Sequence, residues 1–180
     1  MQKLTTMNPD FQKVFDMLER QRLAILHDVQ HVSIEKYNHA PVAGKWSLGQ
    51  ILTHILTAEK LSIAYMKKKY LGADQVGNSG VITSLRLGLL IISQRIPALK
   101  FNAPKVVVEN TPPVLSLQEL SEKWNAQRAD LKLFLEGMDE KNYKKLIYKH
   151  PIAGRLDARQ AMVFFGEHII HHMPQIKRLL

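Results

Sequence analysis

Three histidines fall within five positions near the end of the chain, His168, His171 and His172 in GEHIIHHMPQIKRLL at 166–180. A neutral imidazole offers a nitrogen lone pair near pH 7, so such a cluster suggests metal coordination or proton transfer. At about 100° per residue, Ala161, Met162, Phe165, Ile169, Ile176 and Leu179 form one apolar helix stripe. His172 falls within that stripe and His168 along its edge, while His171 points well away and reads as a solvated neighbour. Residues four apart stack on one face with Cβ atoms about 5–6 Å apart, which lets two ring nitrogens converge on one ion. A divalent site needs at least a third ligand. His54, between Ile51, Ile55 and Ala58, lies near an apolar edge that would line a seam between helices. Three imidazoles without thiolate or carboxylate suit Zn, Ni, Fe or Cu, with Zn, Ni and Fe expected first, and leave a coordination position open.

Spacing alone is not enough. His27 and His31 repeat it, yet both lie opposite the apolar stripe of their helix and read as surface residues, and His39 and His150 fall in loops. Pro174 removes an amide donor just past His172, so it bends the last turns, either as a frayed helix end or to tilt His172 toward the seam. Proton-transfer partners are few. Glu59 lies on the apolar side of its helix and is the candidate catalytic base, whereas Glu167 points off its stripe. Arg22, on an otherwise apolar face, is the expected ion-pair partner of Glu59. Gln175 is placed to orient His172 or a bound ligand.

Four long amphipathic helices must position these groups. The first is capped by Asn8 with Pro9 in its first turn, carries Phe11, Val14, Phe15, Leu18, Ile25 and Val29 on one face, and is expected to run to about residue 33. Ser47 with Gln50 makes a capping box for the second, which stops near Gly72; Ser116 with Glu119 opens the third, which stops near Gly137. Asp157 with Gln160 opens the fourth, which runs toward the C-terminus. The predicted architecture is all-α, one four-helix bundle over 1–180 with a long crossover at 75–115 between the second and third helices. That crossover lets those two helices run parallel. It is basic, holding Arg86, Arg95, Lys100 and Lys105 with no acidic residue between Asp74 and Glu109. VITSLRLGLLIISQRIPALKFNAPK reads as a short amphipathic helix followed by an extended arm, packing on the bundle or serving as a lid, a dimer surface or a membrane contact. APKVVVENTPP, bounded by prolines, reads as extended.

Composition limits the chemistry further. There is no cysteine, so protein thiolates and disulfides are excluded. Lys and Arg outnumber Asp and Glu by 25 to 16, but the basic aromatic motifs that read bases are missing, so no nucleic-acid partner is expected. No run reaches transmembrane length and the N-terminus lacks a secretory pattern, so the expectation is a soluble, cytoplasmic protein for which membrane contact is unfavoured.

GKWSLGQILTHI at 44–55, HPIAGRLDARQAMVFFGEHIIHHMPQI at 150–176 and the helix order together resemble the DinB/YfiT-like superfamily of metalloenzymes. The resemblance spans nearly the whole chain and is sharpest at Trp46-Ser47 leading into His54 and at His168, His172, Gln175 and Ile176. It implies a metal held by His54, His168 and His172, a homodimer, and chemistry on a small molecule. Some similar proteins are transferases that use an external low-molecular-weight thiol. Two functional readings follow: a metal-dependent transferase or hydrolase, or a non-catalytic metal-binding or interaction module.

Overall fold

The computed structural model describes residues 6–95 and 105–180, and these form an all-α protein with one small hairpin. Four long helices carry it: α1 (Pro9–Val29), α3 (Leu48–Tyr70), α6 (Leu117–Glu136) and α7 (Ala158–Leu179). The short α2 (Ile34–Asn38) follows α1, α4 (Val81–Gln94) and α5 (Lys105–Asn110) lie in the crossover, and β1 (Tyr148–His150) pairs antiparallel with β2 (Gly154–Leu156) before α7.

The expected caps form as chemistry requires. Asn8 accepts the Asp10 amide, and Ser47, Ser116 and Asp157 each close a reciprocal box with the residue three on. Each box satisfies two amides that a helix start leaves without partners. Helix one ends earlier than expected, at Val29, because the Ser33 hydroxyl accepts the Lys36 amide at 3.2 Å and begins α2 instead. A second correction concerns APKVVVENTPP: residues 105–110 are the helix α5, not extended chain. α5 packs on α3 with Val107 buried, so tertiary contact overrides the strand preference of its valines. The arm expected after α4 falls largely on 96–104, outside the described residues.

The long helices close a square in which α1 meets α7 and α6, and α3 meets the same two. Leu115 donates its amide to the Thr53 hydroxyl at the start of α3, while Tyr70 at its end packs on Phe134, so α3 and α6 run parallel, as the long crossover allows. Close fits set two of the spacings. A Cβ on Gly49 would stand 2.4 Å from Val114 Cγ1 and 2.6 Å from Tyr37 Cε1, and one on Gly166 would stand 2.6 Å from Met17 Cε.

Inside the square the apolar core comes in two clusters. One holds Leu18, Ile63, Leu131 and Phe165, the other Ile25, Ile55, Trp124 and Ile169. Between them in sequence on the four helices fall Arg22, Glu59, Arg128 and His168. A polar layer therefore crosses the bundle at mid-height. α4 is an additional helix laid along α7, with Leu87 and Leu90 buried. No described helix is long and apolar enough to cross a membrane.

Candidate metal centre

His54 projects from α3 and His168 and His172 from α7, and the antiparallel seam between these helices brings the three rings together. One ligand nitrogen from each lies within 4.8 Å of the other two. Ring centroids are 5.2 Å apart for His54 and His168, 5.3 Å for His54 and His172, and 4.8 Å for His168 and His172. The planes meet at 73° to 75°, so the rings present edges to a common point rather than stacking.

The nitrogen geometry fits a metal. Nε2 of His172 stands 3.2 Å from Nε2 of His168. Two nitrogens at 2.0–2.1 Å from one tetrahedral zinc ion are separated by about 3.3 Å, so little movement is needed to share an ion. Nδ1 of His172 lies 3.0 Å from the Gln175 amide oxygen. That oxygen only accepts, which puts the proton on Nδ1 and leaves the Nε2 lone pair facing the cluster. Among the described residues no carboxylate joins the three imidazoles.

Burial keeps the rings neutral. His54 and His172 are buried, and desolvation, with the neighbouring imidazoles second, pushes both pKa values down to about 4. Gln175 opposes the shift at His172 by stabilising the charged ring. Desolvation holds His168 well below its ordinary 6.5 in the same way. Neutral, lone-pair-bearing rings at pH 7 are what a metal ligand requires.

Aromatic rings hold the imidazoles in place. Trp46 lies 4.9 Å from His54 between centroids, and Phe164 stacks on His168 at 5.9 Å and 17°. Helix periodicity alone assigns neither ring this contact. For Phe164 the signal was present, since it precedes His168 by one helical turn.

Several expectations are corrected here. Glu59 is buried but pairs with Arg128, not Arg22. Arg128 and Arg22 both contact Glu19, at 2.9 Å and 2.8 Å, and Arg22 also donates to Asn125 at 2.5 Å. Arg128 approaches from the neighbouring α6, whereas Arg22 has Glu19 one turn away on its own helix. His171 is half-buried rather than solvated, with Nδ1 3.1 Å from the Gln94 carbonyl, because α4 covers that side of α7. His150 is not in a loop. It ends β1, is buried, and its Nδ1 accepts the amides of Ile152 and Ala153, both at 3.1 Å. His27 and His31 are exposed, as expected, and His39 follows the last residue of α2 in extended backbone, also exposed. Glu167 is held by Arg95 through two hydrogen bonds of 3.0 Å and 2.7 Å. The last helix continues through Pro174 to Leu179.

Beside His168 a narrow cleft is lined by Ile55, Ala58, Glu59, Ser62 and the two phenylalanines 164 and 165. Oε2 of Glu59 is buried and has no hydrogen-bond partner among the described residues, since Arg128 engages only the other oxygen. A buried carboxylate oxygen left open next to a lone-pair cluster is equipped to accept a proton.

The square of helices with histidines across the α3–α7 seam defines a class. The family model for the DinB superfamily matches residues 15–176, and the chain belongs to that superfamily. Among curated proteins, "Uncharacterized protein YuaE" of Bacillus subtilis (strain 168) is 23% identical over 158 residues, covering 88% of this chain and 91% of that protein. No solved structure gives a significant match.

Proposed function

We propose that the protein is a metal-dependent enzyme acting on a small molecule, with His54, His168 and His172 as the ligands of one divalent ion, Zn, Ni or Fe. The observation that carries this reading is the convergence of three ligand nitrogens within 4.8 Å of one another at a buried seam. A bound divalent ion supplies Lewis acidity there, lowering the pKa of a water or thiol. The residues of the chain do the rest. Gln175 fixes the tautomer of His172, and Trp46 and Phe164 restrict how the rings turn and how water reaches them. Glu59 accepts the proton of the nucleophile at Oε2 while Arg128 holds its other oxygen.

The reaction classes that follow are hydrolysis, or transfer to an external low-molecular-weight thiol, since the chain has no cysteine of its own. As the family likeness implies, the enzyme works as a homodimer, which sedimentation velocity measures.

Metal analysis of the purified protein tests the site. About one equivalent is expected per chain, lost in His54→Ala and in His172→Ala and kept in His171→Ala. Equal metal in all three variants, or none in the native protein above pH 7, would refute the ligand set. Metal-loaded protein that turned over no electrophile, with or without thiols, would favour a binding module.

A further inference from the structure

Crossover helix α4 has two unlike faces. One is anchored on α7: Leu87 and Leu90 are buried, the Gln160 amide donates to Thr83 and Ser84 at 3.2 Å each, and Arg95 grips Glu167. The opposite face carries Val81, Ile82, Leu85, Leu89 and Ile92, each between 60% and 76% exposed. Spacings of three and four residues align them in one stripe. Single exposed aliphatics are ordinary on a protein surface, but five on one helix face mark a contact surface.

The charges beside that stripe are all of one sign. Arg86 is exposed on its flank and reaches the hairpin, its Nη1 lying 3.7 Å from where a Cβ on Gly154 would stand. On the hairpin Lys149 and Arg155 face each other directly across the two strands, both exposed. Like charges placed opposite one another cost stability, so the fold does not account for them. None of these three cations forms an ion pair among the described residues. Arg155 also lines, with Lys68 and Lys69, an open cleft of about 380 Å³ that extends the cationic surface. On α4 itself no acidic residue balances Arg86, since none occurs between Asp74 and Glu109.

We propose that the exposed face of α4 docks on an anionic lipid bilayer, its five aliphatics entering the headgroup boundary while Arg86, Lys149 and Arg155 meet lipid phosphates. A second copy of the chain would cover the aliphatics, but the stripe offers no carboxylate to meet Arg86. A nucleic acid would satisfy the cations and leave the aliphatics in water. Only a surface both apolar and anionic matches both features. From sequence, packing of the crossover's Leu and Ile residues on the bundle was expected ahead of membrane contact; periodicity cannot tell which of those in 81–94 face outward. This inference makes no use of the histidine site.

Co-sedimentation of the full chain with vesicles of phosphatidylglycerol and phosphatidylcholine, against phosphatidylcholine alone, tests it. Binding to the mixed vesicles is expected to be stronger by about fivefold for each cation that reaches the surface and to weaken with added salt. Arg155→Glu weakens it. Leu85→Glu combined with Leu89→Glu, at exposed positions, abolishes it while leaving the helical circular dichroism unchanged. The proposal fails if the mixed vesicles bind no protein, or if binding survives the double glutamate variant. It also fails if sedimentation velocity shows a dimer that this variant splits, since the face then belongs to a second copy.

Discussion

Glu59 and Arg128 are both almost fully buried, and neither can be removed without exposing the other's need for a partner. Arg128→Ala leaves a buried carboxylate with no counter-charge and is expected to cost about 3–5 kcal/mol of stability by urea unfolding. Glu59→Gln should cost less, because Arg128 keeps its contact with Glu19. His150 makes a second prediction. Burial depresses its pKa from 6.5 to about 4, so the unfolded chain binds the proton more tightly than the folded one. Its contribution is fully present above pH 6.5 and is lost as pH falls from 6.5 toward 4. Urea midpoints at pH 7 and pH 5 should show a loss smaller by about 2 kcal/mol in His150→Asn, which keeps an acceptor but does not titrate. What sequence revealed at this scale follows from periodicity. His54, His168 and His172 sit on long helices, where angle predicts direction. His150 sits on a three-residue strand with no period to read, and the choice of Arg128 over Arg22 depends on how α6 is rotated against α3.

At the scale of elements, the start of α3 is held by a close fit rather than by a cap alone. Gly49 lies under Val114 and Tyr37, and Gly49→Ala would drive a methyl group into both. The expected cost is about 1–3 kcal/mol in chemical denaturation. Because His54 lies little more than one turn further along the same helix, metal affinity should fall with it, which isothermal titration with zinc would register. The four long helices were legible because each opens on a side-chain cap and repeats its apolar residues over several turns. α2, α5 and the hairpin were not, since each is shorter than the window over which a helical or strand period can be recognised. α4 was read as a helix, but which of its faces meets the bundle emerges only from its contacts with α7.

For the molecule as a whole, an ion at the α3–α7 seam would bind the folded state and scarcely the unfolded one. Its addition should raise the melting temperature, with a stabilisation of about 2.7 kcal/mol at one hundred times the dissociation constant, and a chelator should reverse the gain. Calorimetry with and without the chelator measures it, and His54→Ala should show no such response. The order of the helices explains a further point. His54 lies in the first third of the chain and His172 in its last turns, so any bond between them closes a loop through most of the polypeptide. In a protein that has no cysteine, such a closure is the nearest equivalent of a disulfide. Its strength would answer to metal supply instead of redox potential, and a shortage of the ion would loosen the α3–α7 seam while the apolar core on either side of it stayed packed.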